Sequence, residues 1–293
     1  MRFTYAVPAG LLAASILFTG CASNNNDSNT SNNNSTNAAN STAATNTAAA
    51  TTADFTSAVD QYRTYVIEQC DEFVKQTENF TNAVKEAKIE EAKALYAPAR
   101  MYYERIEPIA EALGDLDPNI DARENDVEAA EWRGFHKLEK ALWQDNTTKD
   151  MTEFADQLLK DAQLLRAKVE IVEIDANLLV TGAVELLNEV SSSKVTGEEE
   201  RYSHTDLYDF VANVEGAQKI YELLKPELAK KDAELEKTIG ERFAALQAEL
   251  APFKSGDGYV SYEELKEEDV RKLSQNLDAL AEPLSNMGTI LGV

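Results

Sequence analysis

At Asp54 an apolar stripe begins that suits an amphipathic helix: Phe55, Val59, Tyr62, Val66, Cys70, Phe73, Phe80 and Val84 recur at steps of three, four or seven. A strand would alternate by twos, and no part of the chain sustains that pattern between turn signals, so a sheet is not expected. The helical period predicts further helices over residues 88–113, 125–143, 152–170, 177–192, 206–224, 230–250 and 263–291. Pro98 and Pro108 mark kinks or breaks in the first of these. Gly114-Asp115-Leu116-Asp117-Pro118-Asn119 reads as a loop. The fold class that follows is all-α, with long helices in two packed bundle halves meeting around residues 171–195.

Upstream of the stripe the chain has a different character. Arg2, an apolar run from Leu11 to Phe18, and Thr19-Gly20-Cys21 resemble a bacterial lipoprotein signal over residues 1–21. Cys21 is then the acylated residue, and the apolar run is shorter than the ~20 residues a spanning helix needs. Residues 22–53 are almost wholly Asn, Ser, Thr and Ala, a composition without apolar periodicity that predicts a disordered tether. As a flexible coil it would span roughly 30 Å. Residues 54–293 are the expected folded domain, held at the extracytoplasmic face of the cell membrane by the lipid. With Cys21 used for lipid, Cys70 is left alone, and its place on the apolar stripe makes it a small buried hydrophobe.

The charge balance narrows the partners. There are 52 acidic residues against 28 Lys and Arg, for a formal net charge of -24. Nucleic acids and anionic lipid surfaces are bound through clustered cationic side chains, so neither is an expected ligand; cations are. In such a chain carboxylates are common and histidines are scarce, with only two present.

One of the two carries the most informative motif. In Gly134-Phe135-His136-Lys137-Leu138-Glu139 the imidazole and the carboxylate stand at i and i+3, on one helical face, where both can converge on an ion. Glu104 and Glu107 repeat the spacing in the preceding helix, and Asp115, Asp117 and Asp121 lie between. Chance alone supplies about nine acidic pairs at i, i+3 in a chain this acidic, so the second pair is the weaker signal. Trp132, Phe135, Leu138, Leu142 and Trp143 give the His136 segment an apolar wall. A mixed N and O donor set suits Fe, Zn or Mn. Around His204, the run Glu198-Glu199-Glu200 fits completion of such a site, while Ser203, Thr205 or Asp206 also fits a helix cap. Two zinc-protease helix patterns fail, because Lys137 stands where Glu is needed and Lys140 where the second His is needed. No Gly-x-Ser-x-Gly elbow is present.

Taken together, several segments resemble the imelysin family, and within it the lipoprotein component of EfeUOB-type iron uptake. They are Met101-Tyr102-Tyr103-Glu104-Arg105-Ile106-Glu107-Pro108, Gly114-Asp115-Leu116-Asp117-Pro118 with Asp121-Ala122-Arg123-Glu124, the Gly-x-His-x-x-Glu motif, and the run Thr196 to Leu207. The resemblance implies a metal-binding cleft using His136 and Glu139, with Glu104, Glu107, Asp121 and one of Glu198 to Glu200, Glu199 being the choice, as companions. It implies iron, Fe2+ or Fe3+, as cargo; Zn2+ is the alternative ion that the donor set admits. It also implies delivery to a membrane iron permease alongside a secreted haem peroxidase. Larger members carry a cupredoxin domain where this chain has its Asn-rich tether, so copper-dependent steps are not expected. The function implied is extracytoplasmic iron capture, not an enzyme. The alternatives are a metallopeptidase of the imelysin type and a polysaccharide-binding envelope lipoprotein.

Overall fold

The stripe that begins at Phe55 is the buried face of α1 (Thr56–Lys85), where Tyr62, Val66, Cys70, Phe73, Phe80 and Val84 are all inside. Thr77 fills the gap in the stripe between Phe73 and Phe80. Each fully buried Val or Phe of this face contributes about 1.5–3 kcal/mol of transfer free energy. Cys70 is a free thiol that burial pushes up to about 12, which keeps it protonated and inert. The computed structural model describes residues 54–293; the leader expected over residues 1–21, with Cys21, and the tether of 22–53 lie outside the described residues.

Eight further helices follow: α2 (Ile89–Glu104), α3 (Leu116–Asp121), α4 (Phe135–Trp143), α5 (Thr152–Lys168), α6 (Ala176–Ser192), α7 (Asp206–Lys231), α8 (Ala233–Leu250) and α9 (Glu267–Leu291). α1 packs on α2 and α5, while α6, α7, α8 and α9 pack on one another. α2 lies against α7, so the two groups share one continuous apolar core. The chain crosses from the first group to the second between Lys168 and Ala176, and α6 packs on α7 and α9 as well as on the 3-10 helix of residues 107–113. Among the described residues no helix is long and apolar enough to cross a membrane.

The all-α class therefore holds, with local corrections. Among the described residues the only strands are β1 (Lys254–Ser255) and β2 (Gly258–Tyr259), two residues each, paired antiparallel. α2 runs through Pro98 and stops at Glu104; residues 107–113 form a 3-10 helix, because Pro108 cannot continue an α-helical ladder. Residues 116–121, expected as loop, are the short α3, whose Pro118 sits in the first turn, where a missing N–H costs nothing. α7 continues through Pro226 to Lys231, and the break falls at Asp232, whose carboxylate accepts from the Leu235 amide at 2.9 Å and caps α8.

The largest correction lies beside the site. Residues 125–134 were expected as helix and are turns, and α4 begins only at Phe135. Gly134 enforces this: its φ is +93°, and a Cβ there would stand 2.3 Å from the Ile120 carbonyl oxygen. Trp132 Nε1 donates to the Ala122 carbonyl at 2.8 Å and ties the same turn to the end of α3. The result brings the C-terminus of α3 against the first turn of α4.

Candidate metal centre

His136 and Glu139 occupy the buried face of α4, together with Phe135, Leu138 and Leu142. Phe135 anchors that face by stacking on Phe80 at 5.5 Å and meeting Tyr96 edge-on at 5.8 Å. His136 Nδ1 lies 3.1 Å from Glu139 Oε2. The other oxygen of Glu139 accepts the backbone amides of Tyr202 and Ser203, at 2.9 and 2.8 Å. Glu139 is therefore fully engaged, and it holds the imidazole with Nδ1 inward and Nε2 outward. Such a carboxylate behind a histidine fixes its tautomer and raises its basicity as a ligand.

Nε2 is buried and has no hydrogen-bond partner among the described residues. It faces Asp121 Oδ1 at 3.5 Å, from the last residue of α3, and Glu199 Oε1 at 3.7 Å, from the loop that precedes α7. One donor atom from each of Asp121, His136 and Glu199 lies within 4.8 Å of the others. Donors around an ion at bond lengths of about 2.1 Å sit about 3.4 Å apart in a tetrahedron, so only small adjustments are needed. A second grouping joins His136 with Glu139 and Glu200. Its oxygens are already taken by backbone amides and by the Tyr96 hydroxyl, which donates to Glu200 at 3.2 Å. Asp121 and Glu199 of the first grouping line a cavity of about 740 Å³. Glu107, Asp117, Asp126, Glu185 and Glu189 join Asp121 and Glu199 around that cavity, and Arg123 is the one basic residue of its lining.

Two buried cations hold these acids together. Arg100, on the buried face of α2, pairs with Glu104 at 2.5 Å and with Asp121. Its Nε lies 2.6 Å from Glu200, off the line of the N–H, and 3.4 Å from Asp209. Lys194 closes on Glu104 and Glu107. The electrostatics follow from this packing. Burial alone would raise the carboxyl of Asp121, but Arg100 and then His136 outweigh it and hold Asp121 well below the usual range. Glu199 is brought down to about 2 against burial, by Lys194 and His136. Burial pushes Glu200 up to about 8, with the Glu139 charge adding to it. His136 is raised well above the ordinary imidazole range: burial and Arg100 oppose its charged form, and Asp121, Glu139 and Glu199 overcome them.

Of the residues singled out in the sequence, the structure brings together His136, Glu139, Asp121 and Glu199. It keeps Glu104 and Glu107 one step away, around Lys194. Glu198 is exposed beside Arg201, and His204 is partly exposed 3.8 Å from Glu263, outside both groupings. The capping alternative for the 203–206 segment does not hold: no side chain caps α7, and Asp206 instead accepts the Glu200 amide at 3.1 Å. Arg100, Lys194, Asn213, Glu185 and Glu189 were not singled out. Arg100 left one legible trace, a charge on the Ala92, Tyr96, Ala99, Tyr103 stripe with Glu104 four residues on.

The imelysin family model matches residues 58–287. An Efem/EfeO family lipoprotein of Staphylococcus haemolyticus is 47% identical over 289 residues, covering 97% of this chain and 98% of that protein. An Efem/EfeO family lipoprotein of Staphylococcus aureus is 49% identical over 243 residues, covering 81% of this chain and 86% of that protein.

Proposed function

The chain belongs to the imelysin family, and we propose that it is a lipid-anchored protein of the extracytoplasmic membrane face that captures iron and hands it to a membrane iron permease. The observation that carries this is His136 Nε2: buried, without a hydrogen-bond partner among the described residues, and faced by Asp121 and Glu199, which themselves line an acid-rich cavity. Asp121, His136 and Glu199 are the proposed ligands of the cargo ion, with Glu139 orienting the imidazole. One nitrogen and several carboxylate oxygens suit Fe2+, Fe3+ or Zn2+ better than a soft ion such as Cu(I). The relatives' names describe lipoproteins, which supports an anchor on Cys21 and a leader over residues 1–21; residues 22–53 would then join the anchor to the folded domain. A secreted haem peroxidase is the proposed companion of the permease in the same system.

Peptidase chemistry has no support in this geometry. Glu139 would be the general base of such an enzyme, and both its oxygens are occupied by His136 and by two backbone amides. The test is oxygen-free calorimetry with Fe2+, followed by elemental analysis of the desalted protein. Wild type binds iron at His136, and His136→Ala loses it; equal uptake by both removes the site assignment.

A further inference from the structure

One loop reaches the metal centre twice. Between the 3-10 turn Lys194–Thr196 and α7, residues 197–205 supply the Glu199 carboxylate that faces His136 Nε2, and the Tyr202 and Ser203 amides that hold Glu139. Both ends of this loop are left-handed, Gly197 at φ +78° and His204 at φ +55°. A residue with a Cβ, such as His204, stays in that conformation only where its surroundings impose it. A single residue contacts both ends. Tyr262, from the 3-10 turn Tyr262–Glu264 ahead of α9, is buried. Its amide donates to the His204 carbonyl at 2.9 Å, and its hydroxyl donates to the Val195 carbonyl at 2.6 Å. Its ring lies on Gly197, where a Cβ would stand 2.9 Å from ring carbon Cδ1. The segment that carries Tyr262 is itself anchored. Val260 donates its amide to the Phe253 carbonyl at 3.0 Å, and Tyr259 meets Tyr208 of α7 edge-on at 5.2 Å.

We propose that Tyr262 is a positioning residue of the metal centre: by pinning both ends of the 197–205 loop it fixes Glu199 against His136 and slows the loop opening through which a bound ion leaves. This rests on the cargo reading above and adds to it the element that sets how long the ion is retained. Asp121 ends a helix and His136 lies within one, so of the three proposed ligands only Glu199 is carried by irregular backbone. Opening the loop weakens the site twice. The same movement withdraws Glu199 and takes the Tyr202 and Ser203 amides from Glu139, which then orients the imidazole less firmly. Arg123 and Arg201 also tie the middle of the loop, to Glu199 and to the Glu124 carbonyl, but from side chains 22% and 30% exposed. The Tyr262 hydroxyl bond is buried, and its loss leaves the Val195 carbonyl without that donor. Because contacts formed in the closed state act mainly on dissociation, the effect belongs to release of the ion and not to its capture.

The test compares two hydroxyls that make the same kind of bond. Tyr221 donates to the Glu236 carbonyl at 2.8 Å, which joins α7 to α8, and it belongs to neither donor grouping. Tyr262→Phe and Tyr221→Phe each remove one hydroxyl and keep the ring, so both are expected to fold and to lower the urea midpoint by similar amounts. Each protein is loaded with Fe2+ under oxygen-free conditions and mixed with an excess of a chromogenic ferrous chelator in a stopped-flow cell. Release is expected to be about fivefold faster or more in Tyr262→Phe, with its capture rate unchanged and with both rates unchanged in Tyr221→Phe. Release at the wild-type rate in Tyr262→Phe, or equal acceleration in Tyr221→Phe, overturns the proposal and leaves the His136 site standing. Hydrogen exchange read by mass spectrometry adds a measurement that needs no iron. In ion-free Tyr262→Phe, residues 198–205 are expected to exchange about tenfold faster than in wild type, with no change in Tyr221→Phe. Unchanged exchange overturns the pinning of the loop whatever the release rates. A third comparison needs no variant: saturating Fe2+ is expected to slow exchange over residues 198–205 in wild type, and iron bound without that slowing overturns the exit route. Wild type that takes up no iron removes the cargo reading, and the retention role of Tyr262 with it.

Discussion

At one end of the buried charge cluster, Asp121 and Glu199 face an imidazole nitrogen with no hydrogen-bond partner among the described residues; at the other, Glu104 and Glu107 are closed around the ammonium of Lys194. Both ends are acid pairs walled by apolar helices, and Arg100 touches both, through Asp121 and Glu104. The difference is the identity of the counter-charge. A histidine is a base that yields its proton and becomes a ligand, whereas a lysine in such surroundings stays charged and offers an ion no lone pair. Carboxylate spacing alone therefore says little about which acids hold an ion; the cation supplied from elsewhere in the chain decides.

The most disruptive way to test this comparison is to remove the side chain that both ends share. Arg100→Met leaves several buried carboxylates without their common partner and is expected to lower stability by about 3–5 kcal/mol in urea unfolding of the ion-free protein. A loss under about 1 kcal/mol would mean that the two ends do not depend on a shared charge.

Next in size, His136→Ala is expected to weaken iron binding by about a hundredfold or more, while Glu139→Gln, which disturbs only the orientation of the ring, weakens it by about 10- to 100-fold. Calorimetry on both variants ranks them. A Glu139 effect larger than that of His136 would make the carboxylate a ligand and overturn the arrangement described.

Acidity separates the ends more gently. His136 carries a proton at neutral pH because its pKa is raised, so an incoming ion must expel it. Apparent affinity is then expected to fall about tenfold per unit as pH drops below that raised value, through the neutral range. Calorimetry in buffers of different ionisation enthalpy counts the released proton, and a pH-independent affinity between pH 6 and 8 would contradict it. For the ion-free protein the sign reverses. Glu200, pushed up to about 8 from an ordinary 4.5, keeps its proton in the fold but not in the unfolded chain. Its contribution is complete below 4.5 and is lost as pH rises towards 8, and His136 acts in the same direction. Glu199, at about 2, loses its contribution only as pH falls from 4.5 towards 2. Tm in chelator is therefore expected to be higher at pH 6 than at pH 8, with the difference reduced in Glu200→Gln.

The smallest effect belongs to the rim. Glu185 lines the cavity without belonging to either donor grouping. Glu185→Gln is expected to slow iron uptake by less than about threefold at low salt, by weakening the attraction of the cavity for cations. Stopped-flow uptake at two ionic strengths measures it, and a tenfold loss would place Glu185 among the ligands.

Much of this architecture was legible in local patterns. Tyr62, Val66, Cys70, Phe73, Phe80 and Val84 of the α1 stripe are buried, with Phe55 and Val59 half-buried at its start, because burial of one helical face repeats with the helical period. The i, i+3 relation of His136 and Glu139 survived into a 3.1 Å contact, because helix geometry alone sets it. The helix expected over 125–134 failed for a local reason that only the packed chain reveals: the close approach of Gly134 to Ile120. Glu104 and Glu107 share the i, i+3 spacing but stand on two elements, the end of α2 and the 3-10 helix after it, and the spacing held no information about Lys194, which reaches them from 90 and 87 residues away.

Composition and period alone determined an all-helical chain rich in acid, with a scarce histidine one helical turn from a carboxylate, since these follow from backbone geometry and side-chain type. Tertiary structure decided which nitrogen of that histidine faces outward, which acids meet it, and which are neutralised by a lysine instead. The reason is physical: in a low-dielectric interior a charge is settled by whatever counter-charge packing brings within a few ångströms, and sequence distance has no bearing on that.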